Sequence, residues 1–305
     1  MTADLRNKVV LITGCNVGIG KVTALKFAQQ GAKIIMGCRN METGKQAQEE
    51  IKKQSENENV VLKKLDLGSL QSVREFSEEV LKEEEKIDLL INNAGIMGTK
   101  FGLTVDGYEQ QFAVNHLGHF LLTNLLLELL KKAESARVIV LASTYGKLGL
   151  PNFDDVNYEK TSYRPYKSYD RSKLANVLFA NELARRLEGT NVTTYSVHPG
   201  VVKTELYRDQ KSITKFFMAP FRVFMKTPEQ GAATTLYCAL EEGIEQHSGL
   251  YFADSKLASF PGKGFDEESA KNLWELSEEL VKLKEPALDE TVDAQDADVA
   301  LHTGE

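Results

Sequence analysis

The stretch Val9-Val-Leu-Ile-Thr-Gly-Cys-Asn-Val-Gly-Ile-Gly20 decides the fold of this 305-residue chain. Its run of four apolar residues indicates a strand that is buried on both faces, as in a parallel sheet. Glycines at positions 14, 18 and 20 permit a tight turn, and a helical pattern follows from Lys21. The free N–H groups at the start of such a helix can bind a pyrophosphate. We therefore expect a phosphate-binding turn here; a plain strand–helix turn is the alternative.

Short β-branched runs alternate with longer helical patterns along the rest of the chain. The predicted strands are residues 8–14, 33–39, 60–67, 88–95, 137–143, 192–200 and 249–254. Amphipathic stretches such as 69–84 and 115–132 lie between them, whereas 148–168 has the composition of a loop. This order predicts an α/β fold: a single-domain, Rossmann-type, doubly wound parallel sheet flanked by helices. We expect this domain to span residues 1–284 and the acidic stretch 285–305 to be disordered.

Composition excludes several classes of function. The net charge is −7, from 37 basic and 44 acidic residues, so the chain lacks the basic excess that nucleic-acid binding requires. Cys15, Cys38 and Cys238 are far apart and have no metal-ligand spacing, which predicts free, mostly buried thiols in a reducing compartment and no metal site. No secretory pattern or run of 18 apolar residues occurs, so we expect a cytoplasmic protein without a transmembrane segment.

The segment Tyr169-Asp-Arg-Ser-Lys173 carries a pattern suited to acid–base chemistry. It lies in an apolar, helix-like run, and residues four apart share a helix face. A free tyrosine has a pKa of about 10, roughly three units from neutrality. One ammonium at about 4 Å, with an effective dielectric near 20, supplies about the 4 kcal/mol needed to lower it. The pair predicts a tyrosine that acts as a general acid or base.

Arg39 ends the second predicted strand, at the place where dinucleotide folds select between cofactors. An acidic residue there binds the ribose 2′-hydroxyl of NAD, whereas an arginine accommodates the 2′-phosphate of NADP. Positions 37 and 38 carry no acid, and the first acid downstream is Glu42. The arginine therefore favours NADP(H), with NAD(H) as the second possibility and a solvated surface charge as the structural alternative.

Three further motifs follow the later strands. They are Asn92-Asn-Ala-Gly95, Ser143 and His198-Pro-Gly-Val-Val-Lys-Thr204, all at carboxyl ends of strands, where open α/β sheets bind ligands. With the two segments above, this ordered set resembles the short-chain dehydrogenase/reductase family over residues 6–254. Cys38-Arg-Asn-Met, Asp106-Gly-Tyr-Glu-Gln-Gln-Phe-Ala-Val-Asn-His-Leu-Gly-His-Phe120 and the long gap between Ser143 and Tyr169 resemble its retinol dehydrogenase-like branch.

The resemblance implies a role for each matching residue. Tyr169 would be the general acid or base, Lys173 would lower its pKa and hold the nicotinamide ribose, and Ser143 would bind the substrate oxygen. Asn115 would anchor a water relay to Lys173. Besides Tyr169 and Lys173, the implied cofactor-binding residues are Gly14, Asn16, Val17, Gly18, Ile19, Gly20, Arg39, Asp66, Leu67, Asn93, Ala94, Gly95, Pro199, Gly200, Val202 and Thr204.

Simpler interpretations stay open for several of these residues. Asn115 could cap or kink a helix, Asp66 could be a turn residue at a strand end, and Thr204 could be a helix N-cap. Where the family usually has Ser-Ser, this chain has Ala142-Ser143-Thr144. Ser143 is the expected catalytic residue because loop glycines at 146 and 149 then match the family, and Thr144 is the second choice.

The predicted function is an NADP(H)-dependent oxidoreductase that interconverts a hydrophobic carbonyl, such as a retinoid, steroid or lipid aldehyde or ketone, and its alcohol. The alternative is a catalytically silent cofactor-binding regulator or scaffold. The apolar segment 216–225 is expected to cover the substrate; core packing and peripheral contact with a membrane surface are its other interpretations. The resemblance also implies a possible homodimer through the helices that hold 115–132 and 169–186.

Overall fold

The computed structural model describes residues 4–144, 153–203, 225–260 and 266–283. Three sequence-based predictions lie outside these ranges: the cofactor contact of Thr204, the disordered tail 285–305, and the apolar segment 216–225 except for its last residue, Met225. The loop glycines used to choose Ser143 over Thr144 lie outside them too.

One sheet of eight strands forms the centre of the fold, in the order β3-β2-β1-β4-β5-β6-β7-β8. The strands are β1 Val9–Thr13, β2 Lys33–Cys38, β3 Val60–Lys64, β4 Leu89–Asn92, β5 Ala136–Leu141, β6 Val192–His198, β7 Tyr251–Ala253 and β8 Lys256–Leu257. All neighbours pair in parallel except β7 and β8. Seven strands therefore match the predicted runs, and the order reverses between β1 and β4, where such sheets bind ligands.

Helices flank both faces of the sheet. They are α1 Gly18–Gln29, α2 Met41–Ser55, α3 Leu70–Glu83, α4 Gln110–Phe112, α5 Gly118–Leu125, α6 Leu127–Lys131, α7 Pro165–Arg186, α8 Pro228–Leu240 and α9 Glu267–Leu280. A π-helical turn, Ala113–Leu117, joins α4 to α5. The stretch 115–132 is thus three helical pieces, not one amphipathic helix, and α7 begins within the stretch predicted as a loop.

Alternation along the strands sends side chains into two cores. Leu11 of β1 packs in the core that holds residues of α3, α5, α7 and α9. Val10 and Ile12, its neighbours in sequence, pack in the other core, against α1, α2 and α8. All three side chains are fully buried, and each such side chain contributes about 1.5–3 kcal/mol to folding. The fold class predicted from the continuous apolar runs is confirmed.

The helix α9 covers the outer side of α5 and α7. Trp274 lies 4.8 Å from the Phe120 ring and 5.9 Å from the Phe179 ring, centroid to centroid, and Arg186 stacks on the indole at 4.3 Å. The resemblance assigned the helices that hold Phe120 and Phe179 to a homodimer contact. The chain's own α9 therefore buries part of that proposed contact surface. The homodimer stays a prediction.

All three cysteines are buried and free, as their spacing predicted. The Sγ atoms of Cys15 and Cys38 lie 3.9 Å apart beneath the glycine-rich turn. Among the helices of the described ranges, none is both long and apolar enough to cross a membrane.

Candidate active site

A cleft of about 740 Å³ opens at the carboxyl ends of the parallel strands. Fifteen of the residues predicted to bind a cofactor line it: Gly14, Asn16, Val17, Gly18, Ile19, Gly20, Arg39, Asp66, Leu67, Asn93, Ala94, Gly95, Tyr169, Lys173 and Pro199. They come from the segments that follow six strands, β1 to β6, so the parallel sheet is what brings them together.

Two glycines let the turn after β1 lie directly against the segment after β4. A Cβ on Gly14, whose φ is +64°, would lie 2.8 Å from Ala94 Cα, and one on Gly20 would lie 2.4 Å from Asn93 Nδ2. Asn93 Nδ2 donates to the carbonyl oxygens of Thr13 and Gly14 at 2.8 and 3.1 Å. These two glycines thus serve contact between protein segments, in addition to the ligand approach inferred from the sequence.

The start of α1 points into the cleft without a capping side chain. The helix begins at Gly18, three residues earlier than its pattern predicted, and its N-cap residue, Val17, has no side-chain oxygen. Side chains cap α2, α3, α4, α8 and α9, whereas α5, α6 and α7 lack a side-chain cap as α1 does. Because the first-turn N–H groups of α1 have no side-chain acceptor, they are suited to a phosphate.

Arg39 forms the outer wall of the cleft beside the start of α2. It is exposed and makes no salt bridge within the ranges that the structure describes. Asn40 caps α2 through its side chain, and Thr43 Oγ1 accepts a 2.9 Å hydrogen bond from Asn16 Nδ2. Sequence reasoning missed Asn40 and Thr43 as cleft residues, although an asparagine before a helical run after β2 is a recognisable N-cap signal.

Asp66 has one of the roles considered for it and is placed for the other. Its carboxylate accepts a 2.9 Å hydrogen bond from the Gly68 N–H, so it is a turn residue after β3. It also lines the cleft next to Leu67, which leaves the predicted cofactor contact open to test.

Tyr169 and Lys173 lie one turn apart on α7, as their spacing predicted. Both are buried, and the Lys173 Nζ atom lies 5.7 Å from the centre of the Tyr169 ring. Lys173 Nζ donates a 3.0 Å hydrogen bond to the carbonyl oxygen of Leu141 at the end of β5. Burial lowers the pKa of Lys173 to about 8, so the side chain still carries its charge at neutral pH.

A buried network holds the start of α7 in place. The Glu109 carboxylate accepts hydrogen bonds from the Gln111 and Phe112 N–H groups and one of 2.6 Å from Ser168 Oγ. Ser168 directly precedes Tyr169. The residue that caps α4 therefore also fixes the helix that carries the tyrosine.

Asn115 sits in the π-helical turn, and its side chain is fully engaged. Its Oδ1 accepts from the Ile96 N–H at 2.9 Å, and its Nδ2 donates to Ile96 O and Ser172 Oγ at 3.0 and 2.9 Å. A Cβ on Gly95 would lie 3.3 Å from Asn115 Oδ1 and 3.6 Å from Lys173 Nζ. The side chain thus joins three segments of the site and does not itself line the cleft.

Four other residues considered for the site lie at or beyond the edge of the cleft. Ser143 is buried two residues after β5, and Thr144, the second choice, follows it half-buried. Gly200 packs against Lys226, and the buried Val202 bridges to Lys226 and packs towards α8. Gly200 and Val202 therefore do not form part of the cleft wall, unlike Pro199.

The remaining cleft residues are apolar or lack side-chain chemistry, which explains why sequence motifs did not reveal them. They are Gly37, Leu65, Ile96, Val114, Leu141 and Ala142. Within the part of the chain that the structure describes, no three His, Cys, Asp or Glu side chains are close enough to hold a metal ion. The arrangement combines a glycine-rich turn before an uncapped helix with a buried phenol and ammonium, which suits a dinucleotide and proton transfer.

Comparison with known proteins identifies the family. The family model described as short chain dehydrogenase matches residues 8–214, and the chain belongs to the short-chain dehydrogenase/reductase family. Within the family it falls in the retinol dehydrogenase-like branch. It is 47% identical to mouse retinol dehydrogenase 11 over 280 residues and 46% identical to human retinol dehydrogenase 12 over 281; each match covers 92% of this chain and 88% of the relative.

A solved structure shares the fold over most of its length. It is the crystal structure of an uncharacterised protein from Mycobacterium paratuberculosis, with a TM-score of 0.74 and 35% sequence identity; the match covers 92% of this chain and 97% of that one. The eight-stranded sheet and its flanking helices are thus those of the family.

Proposed function

We propose that this chain is an NADP(H)-dependent oxidoreductase that interconverts a hydrophobic carbonyl and its alcohol. One observation carries the proposal: the buried ammonium of Lys173 lies one helical turn from Tyr169, in the wall of a cleft with a phosphate-binding turn. A catalytically silent regulator has no need of such a pair.

The chain's own groups supply proton transfer and orientation. Tyr169 gives a proton to the substrate oxygen in reduction and accepts one in oxidation, and the positive charge of Lys173 favours the phenolate. Ser143, or Thr144 in its place, donates a hydrogen bond to the same oxygen. The nicotinamide, when bound, supplies the hydride.

Several residues are suited to the cofactor. The uncapped first turn of α1 fits the pyrophosphate, and the absence of a Cβ on Gly95 leaves space near Lys173 for the nicotinamide ribose. The exposed guanidinium of Arg39 supports NADP(H) over NAD(H), since a planar fork matches a phosphate dianion.

The identity to proteins named retinol dehydrogenases supports an apolar substrate, such as a retinoid, steroid or lipid aldehyde or ketone. Three further properties also stay proposals: a cytoplasmic location, a homodimer, and peripheral membrane contact through 216–225. Cell fractionation, analytical ultracentrifugation and liposome co-sedimentation test them in that order.

The test of function is NADPH consumption with a panel of all-trans-retinal, steroid ketones and long-chain aldehydes. We expect turnover with at least one apolar carbonyl and a lower KM for NADPH than for NADH. If the protein binds NADPH but turns over no member of the panel in either direction, the silent regulator replaces the enzyme as the best explanation. If it binds neither dinucleotide, both functions are wrong.

A further inference from the structure

His119 is a buried group that the site described above does not use. It is the second residue of α5, one turn after Asn115, and only 1% of it is exposed. Its Nε2 atom lies 2.8 Å from Thr13 Oγ1, and its Nδ1 atom lies 3.1 Å from the carbonyl oxygen of Asn115. The ring therefore spans from the end of β1 to the π-helical turn.

The direction of both hydrogen bonds follows from counting donors and acceptors. Thr13 Oγ1 already accepts hydrogen bonds from the N–H groups of Asn93 and Ala94, both at 3.0 Å. A hydroxyl has two acceptor sites and one donor, so its proton is left for His119 Nε2. Nε2 is then the acceptor, and Nδ1 carries the ring proton and donates it to the Asn115 carbonyl.

The groups tied together in this way line the cleft or hold residues that do. Asn93 and Ala94 line it, and the Asn115 side chain holds the main chain of Ile96. We infer that His119, fixed as the neutral Nδ1–H tautomer, is a positioning residue that locks the glycine-rich turn and the Asn93–Gly95 segment to the π-helical turn. Its effect on turnover rests on the proposed function; its effect on structure and cofactor binding does not.

The surroundings of the ring keep it neutral. Burial lowers the pKa of His119 to about 4, and the charge of Lys173 adds to this effect. An imidazolium would carry a proton on Nε2 and leave the Thr13 hydroxyl without its acceptor. Because an unpaired buried polar group costs about 1–3 kcal/mol, the network opposes protonation as well.

Nuclear magnetic resonance of the cofactor-free protein tests the tautomer directly. A long-range ¹H–¹⁵N correlation spectrum of the histidine rings, assigned with His119→Gln, should show a protonated Nδ1 and an unprotonated Nε2 for His119. The pattern should not change between about pH 5.5 and 9, whereas a free histidine titrates near 6.5. An Nε2–H pattern, or titration in this range, would overturn the inference.

Two variants separate the effects of the two hydrogen bonds that the His119 ring makes, one with Thr13 and one with Asn115. His119→Asn keeps a donor near the Asn115 carbonyl but cannot reach Thr13, so we expect NADPH to bind about tenfold more weakly, as for one lost hydrogen bond. His119→Gln keeps an acceptor for Thr13 and loses the donor to Asn115. We expect its Kd for NADPH to stay within about twofold and its kcat to fall instead.

His116 provides the matched control. It lies in the π-helical turn to which the His119 ring is hydrogen-bonded, and it is equally buried. Its Nε2 atom, however, pairs with Ser277 Oγ of α9, away from the cleft, at 2.9 Å. His116→Gln should lower the melting temperature and leave NADPH binding unchanged. If the His119 variants behave like this control, the ring has only a structural role and the inference is wrong. If the variants do not fold, the spectrum of the parent protein decides.

Discussion

The ammonium of Lys173 on α7 is bonded to the carbonyl oxygen of Leu141, the last residue of β5, at 3.0 Å. Asn176 Nδ2 donates to the same oxygen, also at 3.0 Å. The end of β5 and the helix α7 are thus joined at the point where the proposed proton transfer takes place. Because the Lys173 charge is buried there, it lowers the stability of the folded protein.

That cost gives the first prediction. An ordinary lysine has a pKa of 10.5, and burial lowers the pKa of Lys173 to about 8. At 1.36 kcal/mol per pKa unit, the buried charge lowers the free energy of unfolding by roughly 3 kcal/mol. A variant without the ammonium also loses the hydrogen bond to the Leu141 carbonyl oxygen, which reduces its gain in stability by about 1 kcal/mol. We therefore expect Lys173→Met to abolish turnover yet to be about 2 kcal/mol more stable than the parent at pH 7, by urea unfolding.

The pH dependence of this difference has a definite sign. Between about pH 8 and 10.5 the unfolded chain binds more protons at this position than the folded one, so the parent gains stability as the pH rises. The advantage of Lys173→Met should shrink over this window and vanish above it. A constant difference across the window would contradict burial as the cause of the lowered pKa.

Tyr169→Phe should remove the proton donor without disturbing the cleft. Loss of a general acid costs about 10²–10⁴-fold in kcat, whereas the Kd for NADPH should stay close to that of the parent because the ring remains. Stopped-flow kinetics and fluorescence titration measure the two quantities. Near-normal turnover in the variant would show that Tyr169 is not the acid.

Arg39→Leu should reduce cofactor discrimination. Loss of a charged hydrogen bond costs about 1.5–3 kcal/mol, or roughly 10–100-fold in Kd for NADPH, with little change for NADH. Lys53→Leu is the control, since Lys53 is an exposed cation in the last turn of the neighbouring helix. Equal losses for both dinucleotides would mean that Arg39 does not contact the 2′-phosphate.

Gly20→Ala tests the contact between the glycine-rich turn and Asn93. The added methyl group would lie 2.6 Å from Gly14 O, a main-chain atom that cannot move freely, and overpacking of this kind costs about 1–3 kcal/mol. We expect a lower melting temperature together with weaker NADPH binding. Gly102→Ala should do neither, because the methyl group there meets the end of the flexible Gln110 side chain.

Trp274→Ala tests the anchoring of α9. Removing a buried tryptophan costs about 3–5 kcal/mol, and the Arg186 guanidinium loses its aromatic partner. Trp274→Phe should cost less, since it still fills part of the space beside Phe120. If urea unfolding shows a loss below 1 kcal/mol for the alanine variant, α9 is not part of the stable core.

Sequence patterns predicted the parts of this molecule that depend on continuous burial. The β-branched runs gave seven strands, and several of these runs are continuously apolar because both faces of the strand are covered. The eighth, Lys256–Leu257, is two residues long with both side chains exposed, so no pattern could reveal it. The chemical motifs predicted most of the cleft, since glycine, arginine and charged pairs leave a local signal.

Features that depend on distant contacts were not predictable in this way. The π-helical turn at Asn115 depends on the main chain of Ile96 and on Ser172 of another helix, and no periodicity within 115–132 reports them. The covering of α7 by α9 likewise depends on packing between segments about a hundred residues apart. Leu141 and Ala142 enter the cleft only because β5 ends there.

The uncapped amino terminus of α1 leads us to expect that dinucleotide supply affects the lifetime of the protein. Val17 offers no side-chain oxygen, so we expect the phosphate of a bound dinucleotide to take the place of a cap. Ligand that binds only the folded form stabilises it by about 2.7 kcal/mol at a hundredfold excess over Kd. In a cell starved of dinucleotide, this chain should therefore be cleared by proteolysis sooner than in one that is replete.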